Sequence, residues 1–185
     1  MKKNQISRRN FLGTTATVGL AGATIPALIT SCAPAKGKKK VEAKVFLDQA
    51  PDGPVLKAGV IGCGGRGTGA AIDFLSAGPN LQITAVGDVL LDRVTSFREE
   101  LKKQKGAELA DENCFVGFDA FQKVLASGVD MVILATPPHF RPEHFAAAVD
   151  ARKHVFMEKP VCVDPVGARS VIATARKAQG LQLSV

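Results

Sequence analysis

Short apolar runs alternate with stretches of helical period from residue 55 to the end of the chain. Residues 55–61 read as a buried strand, 81–87 as a second, 114–116 as a short third, 131–135 as a fully apolar fourth, 154–157 as a fifth, and 181–185 as the start of a sixth. Helical patterns fill the gaps. The first covers 66–77; the second shows Leu90, Val94, Phe97 and Leu101 along one continuous face. The third carries Phe121, Val124 and Leu125, with Asp119 and Gln122 as its expected capping pair. The fourth covers 142–151, with Pro142 at the tolerated first position. Asp164 and Pro165 open the last, in which Ala168, Val171, Ile172, Ala175 and Ala178 are expected to share a face before Gly180 ends it. Strands joined by helical crossovers pair in parallel and need helices on both sides of the sheet. The predicted class is therefore α/β, a doubly wound parallel sheet with the six strands of a complete Rossmann fold.

At 46% hydrophobic and 22% charged residues, the composition excludes a disordered chain, a collagen and a coiled coil. Cys32, Cys63, Cys114 and Cys162 are irregularly spaced and fit neither a disulfide framework nor a zinc pattern. His144 and His154 fall on a helix face and at a strand start, without metal spacing. A net charge of +7 raises nucleic acid as a partner. Its distribution argues against one: nine of the 24 basic residues but only three of the 17 acidic residues precede Val55, so 55–185 is nearly neutral at +1. Neither Trp nor Tyr is present to stack on bases.

The basic residues of the first segment have a different meaning. Ser7-Arg8-Arg9-Asn10-Phe11-Leu12 is followed by an uncharged, only mildly apolar run to Ala35. This resembles a twin-arginine export signal, whose pathway carries proteins already folded. Ile29-Thr30-Ser31-Cys32 resembles a lipobox, in which the Cys32 thiol is acylated; the other reading is an ordinary small-residue cleavage site. The expected organisation is an export signal over 1–31, a lysine-rich flexible tether over 32–54 and a dinucleotide-binding domain over 55–185. The protein is expected outside the cytoplasm, periplasmic or held to a membrane by its lipid.

The chemistry is localised by Gly62-Cys63-Gly64-Gly65-Arg66-Gly67, directly after an apolar strand and opening a helix. Gly62 permits the tight turn, Gly64 lets a pyrophosphate approach the backbone, and Gly67 allows close helix packing. Free N–H groups at the helix start attract the phosphates. Asp88 follows Gly67 by 21 residues, at the end of the second strand, where a carboxylate accepts from ribose hydroxyls and repels a 2′-phosphate. NAD is expected over NADP. The bland alternative is a glycine turn in a domain that binds no nucleotide, with Asp88 as a helix cap.

Two more loops follow strands at their carboxyl ends: Ala135-Thr136-Pro137-Pro138-His139-Phe140-Arg141-Pro142 and Glu158-Lys159-Pro160. With the glycine loop, they resemble the Gfo/Idh/MocA oxidoreductase family over residues 55–185. The resemblance implies that Gly62, Gly64, Gly65, Arg66 and Gly67 with Asp88 hold the dinucleotide, that Thr136, Pro137 and His139 pack around it, and that Glu158 contacts its ribose side. It places Lys159 beside the nicotinamide as the catalytic residue, able to polarise or help deprotonate a sugar hydroxyl as hydride leaves. Against this stand plainer roles: Lys159 as a surface ion pair of Glu158, His139 as loop packing. Arg152 occupies a turn where the family commonly has glycine, so a left-handed backbone there is expected to be strained.

Family members continue into a second domain that supplies most substrate contacts, and this chain is expected to lack it. On its own it is then expected to be inactive, with an exposed sheet edge that favours self-association. The leading expectation is the cofactor domain of an exported oxidoreductase acting on a sugar or polyol. A redox-neutral NAD-dependent glycosidase comes second, favoured by export with a tightly held cofactor; a non-catalytic NAD-binding protein comes third.

Overall fold

A computed structural model describes residues 53–185; the expected export signal, Cys32 and nearly all of the tether lie outside the described residues. Six strands appear in the anticipated positions: β1 (Leu56–Ile61), β2 (Leu81–Asp88), β3 (Cys114–Val116), β4 (Met131–Leu134), β5 (His154–Met157) and β6 (Leu183–Ser184). Between them run α1 (Gly65–Ser76), α2 (Leu91–Lys105), α3 (Ala120–Ala126), α4 (Arg141–Asp150) and α5 (Pro165–Lys177), with one 3₁₀ turn at Asp111–Asn113. The strand order is β3-β2-β1-β4-β5-β6 and every pairing is parallel. From β1 in the middle of the sheet, the chain therefore winds to one edge and returns to wind to the other. That reversal opens a crevice above β1 and β4 at their carboxyl ends.

The sheet is buried on both faces because the strand residues alternate. Ala58, Val60, Ile83, Val86 and Ile133 point to one side, against Ala70 and Ala71 of α1 and Val94, Phe97 and Leu101 of α2. Ile61, Ala85, Val132, Leu134 and Val155 point to the other, against α3, α4 and the end of α5. The fully buried Phe97 alone is worth about 1.5–3 kcal/mol of apolar transfer. α3 lies close to the sheet because two strand residues have no side chain: a Cβ on Gly59 would stand 2.5 Å from Val124, and one on Gly87 3.0 Å from the same residue. The β1–β2 register skips Thr84, a bulge that leaves its hydroxyl buried without a partner.

Four expectations need correction. Leu90 is half-exposed and precedes α2, whose packed face consists of Val94, Phe97 and Leu101. Asp119 and Gln122 form no side-chain cap: Asp119 has a helical backbone and its carboxylate turns to Lys123 at 2.9 Å. On α5 Ile172 and Ala175 face outward, while Thr174 and Ala178 are buried, because the helix lies at the sheet margin and needs only a narrow apolar stripe. β6 shrinks to two exposed residues paired with β5. Asp164 does cap α5, accepting from the Gly167 N–H at 2.6 Å. Arg152 has φ of +58°, the left-handed turn anticipated for it.

Candidate functional site

The carboxyl ends of β1, β2, β4 and β5 converge: β1, β4 and β5 carry the three loops named from the sequence, and β2 ends in Asp88. At the β1–α1 turn, the glycines divide into two pairs. Gly62 has φ of +98°, and a Cβ there would meet the Thr136 nitrogen at 2.6 Å. A Cβ on Gly67 would stand 1.8 Å from the Gly62 carbonyl oxygen, an impossible approach. These two glycines let strand, turn and helix close on each other. Gly64 and Gly65 serve no such need. Only the Arg93 guanidinium, 3.6 Å away, would touch a Cβ on Gly64, and nothing within 4 Å would touch one on Gly65. They leave bare backbone at the start of a 12-residue helix with no side-chain cap, where unpaired N–H groups and the helix dipole favour an anion. The cradle fits a dinucleotide pyrophosphate.

Asp88, the last residue of β2, accepts from the Cys63 N–H at 2.7 Å and the Leu90 N–H at 3.1 Å. It pins the glycine loop to the β2–α2 turn. Each carboxylate oxygen keeps a second acceptor site, and the group remains partly exposed at the mouth of a cleft. That cleft, about 420 Å³, is bounded by Asp88, Leu90, Phe118, Thr136, Pro137 and Phe140 among others. Its walls are mainly apolar, with two acidic residues, Asp88 and Glu143, among them, which suits a flat ring joined to a hydroxylated group. Of the residues named from the sequence, Asp88, Thr136 and Pro137 come together here. Leu90 and Phe118 were not anticipated: exposed at 52% and 74%, they signal through apolar side chains directly after strands.

Glu158 directly follows β5 and is buried; its N–H donates to the Leu134 carbonyl and its carboxylate lies 2.5 Å from the Arg66 guanidinium. The hydrogen bond from Arg66 holds the Glu158 carboxyl below the usual carboxylate range, against the opposing effect of burial. Two residues named separately as cofactor contacts are thus bonded to each other. Glu158 pairs with Arg66 and not with Lys159, whose side chain is exposed. His139 is also exposed, edge-on to the Phe140 ring at 5.3 Å, and lies outside the cleft.

Two buried polar residues escaped the sequence reading as site-builders. Arg141, 6% exposed, donates from Nε to the Thr136 carbonyl at 2.7 Å and from Nη1 to the carbonyls of Pro160, at 2.6 Å, and Glu158. Its signal was present: a cation opening a helix opposes the helix dipole unless another partner claims it. His144 is stacked on Phe121 with ring centres 4.3 Å apart and shares a hydrogen bond with the Thr136 hydroxyl at 3.2 Å. Burial pushes its pKa down, against a smaller upward pull from Glu143, so the imidazole is held towards its neutral form.

Comparison with known proteins agrees with this geometry. The family model described as the oxidoreductase family with NAD-binding Rossmann fold, Gfo/Idh/MocA, matches residues 56–185. A glycosyl hydrolase family 109 protein of Streptomyces coelicolor is 30% identical over 166 residues, covering 86% of this chain and 34% of that protein. A D-glucoside 3-dehydrogenase of Escherichia coli is 29% identical over 122 residues, 66% of this chain and 32% of its own. Among solved structures, a variant of a 3-ketoreductase from Actinomadura kijaniata, in complex with TDP-benzene and NADP, superposes with a TM-score of 0.52 at 31% identity, covering 71% of this chain and 36% of that one. The chain spans about a third of the length of the curated relatives it matches.

Proposed function

The chain belongs to the Gfo/Idh/MocA oxidoreductase family and comprises its NAD-binding Rossmann domain, and from this premise we propose that it serves hydride transfer on a sugar or polyol. The observation that carries the reading is the division of the glycine loop: Gly62 and Gly67 are demanded by packing, whereas Gly64 and Gly65 leave open backbone at a helix start. When bound, NAD supplies a hydride acceptor or donor. The backbone N–H groups of Gly64, Gly65 and Arg66 would receive its pyrophosphate, the Asp88 carboxylate its adenosine ribose, and the Thr136–Pro137 loop would cover it. Asp88 disfavours a 2′-phosphate, so NAD is the preferred dinucleotide. Lys159 is the catalytic group: its ammonium would donate to the substrate hydroxyl oxygen and polarise it, or its neutral amine would accept the hydroxyl proton at Nζ as hydride leaves. Glu158, bound to Arg66, keeps that loop beside the glycine turn.

A redox-neutral glycosidase is the second reading, supported by the likeness to the glycosyl hydrolase family 109 protein. Export of a folded protein, as the Arg8-Arg9 segment suggests, further favours a cofactor that is carried across and recycled in each turnover. We also propose acylation of Cys32 and membrane attachment; mass spectrometry of the exported protein should find acylated Cys32, and an unmodified terminus elsewhere would overturn it. The full-length protein, assayed with NAD on sugars, polyols and aryl glycosides, separates the readings. Net NADH release supports the oxidoreductase and sugar release without net NADH the glycosidase. NAD binding without turnover would leave a non-catalytic binder.

A further inference from the structure

We propose that Arg141 is the positioning residue for Lys159: its buried guanidinium grips the main-chain carbonyls on both sides of the lysine and ties them to the loop after β4. The proposal rests on the reading of Lys159 as the catalytic group. Nη1 donates to Glu158 O and Pro160 O, the two carbonyls that bracket Lys159, while Nε donates to Thr136 O. No carboxylate lies within 4.0 Å of Arg141 among the described ion pairs, so a buried cation has been committed wholly to main-chain acceptors.

That arrangement is costly unless its geometry serves something. Burial of a guanidinium is tolerated only where its donors are used, and a cation at the first residue of α4 also opposes the helix dipole. A simple loop staple could be a neutral amide. What the planar fork adds is a fixed spacing among several acceptors, which the single flexible ammonium of a lysine cannot reproduce. Glu158 is held a second time, by its carboxylate on Arg66 of α1. Lys159 is thus an exposed side chain on a backbone immobilised at both neighbours, with one anchor reaching α1 and the other the Thr136 loop. Cofactor engagement of Thr136 and Pro137 would be transmitted to the lysine through one side chain.

The test uses the full chain with ¹³C-methylated lysines, the Lys159 signal being assigned by its loss in Lys159→Arg. In the wild type, saturating NAD is expected to move the Lys159 signal. In Arg141→Ala and in Arg141→Lys, NAD should still bind within about threefold, because Asp88 and the glycine loop are untouched, while the Lys159 response falls to less than half. Arg141→Lys preserves charge and most volume, and carries the test where Arg141→Ala fails to fold. A second readout needs no cofactor: amide exchange at Glu158, whose N–H donates to the Leu134 carbonyl at 3.0 Å, should quicken at least tenfold in the variants, with exchange in α1 unchanged. A wild-type Lys159 response in folded, NAD-binding Arg141→Lys would overturn the proposal, as would unaltered exchange at Glu158. If wild-type NAD binding leaves the Lys159 signal unmoved, the catalytic reading of Lys159 fails, and the exchange arm alone then decides whether Arg141 holds the loop.

Discussion

At the β1–α1 turn the backbone is shaped by missing atoms, since Gly62 and Gly67 have no room for a Cβ. In the loops after β4 and β5 it is shaped by added ones, all buried: a guanidinium and a carboxylate bonded to groups distant in sequence, and an imidazole bonded to Thr136 eight residues before it. The first device acts by exclusion and tolerates no substitution. The second acts by attraction, and so depends on charge, protonation and the exact reach of a donor. A dinucleotide-binding crevice needs both, a rigid turn for phosphate and an adjustable pair of loops for the reacting end.

The largest expected effect breaks the first region. Gly67→Ala should destabilise the chain by about 3 kcal/mol or more, because a methyl 1.8 Å from a carbonyl oxygen forces helix and turn apart. Gly65→Ala, two residues earlier with nothing within 4 Å, should be neutral or slightly stabilising. Urea unfolding of the two variants would measure the contrast; equal losses would mean that glycine content, not close approach, governs the turn. Next comes Arg152→Gly, which places the first region's device where the chain has a side chain at φ +58°. Relief of the left-handed strain should gain about 1 kcal/mol, less the hydrogen bond from Arg152 to the Gln179 carbonyl at 2.8 Å. A fall in melting temperature would show that this bond outweighs the strain.

Smaller effects sharpen the second region. Removing the ion pair by Glu158→Gln should cost about 0.5–1 kcal/mol at neutral pH, since Arg66 is largely solvated. Because Arg66 depresses the Glu158 pKa, the pair's contribution is complete above the ordinary glutamate pKa of 4.5 and is lost as pH falls through the folded value. Glu158→Gln should therefore flatten the acid limb of a stability–pH curve, and an unchanged limb would argue against the pair. The smallest effect concerns His144, whose depressed pKa makes protonation oppose folding. Its contribution is complete above the ordinary histidine value of 6.5 and declines as pH falls below it. His144→Phe should remove that decline without moving the lower, carboxylate limb.

Much of the sheet and the first region could be read from the chain because their causes are local. A strand's alternation, a helix's period and a glycine that must adopt φ +98° are all expressed within a few residues. The left-handed turn at Arg152 follows only from resemblance to the family, which commonly has glycine there, and not from the chain's own pattern. What escaped reading depends on partners far along the chain. Asp119 is the local exception: it carries the composition of a cap, yet Lys123, one helical turn on, takes its carboxylate. Ile172 follows the helical period but lies beyond the margin of the sheet. Arg66 and Glu158 were each assigned to a cofactor, and nothing in their own segments says that 92 residues apart they meet. Arg141 was passed over because an arginine between His139-Phe140 and Pro142 resembles an ordinary exposed cation until the carbonyls of Glu158 and Pro160 are brought to it.

The central claim is that the open backbone at Gly64 receives a dinucleotide pyrophosphate, and Gly64→Ala addresses it directly. At φ −72° and ψ −178° the residue is in a conformation that alanine adopts freely, and the new methyl would only touch Arg93 at 3.6 Å, so folding should be unaffected. Calorimetric titration of the full chain with NAD should show saturable binding to the wild type and at least a tenfold weaker affinity for Gly64→Ala, with unfolding curves that coincide. Equal NAD affinity in the two proteins, or no binding to a folded wild type, would contradict the account.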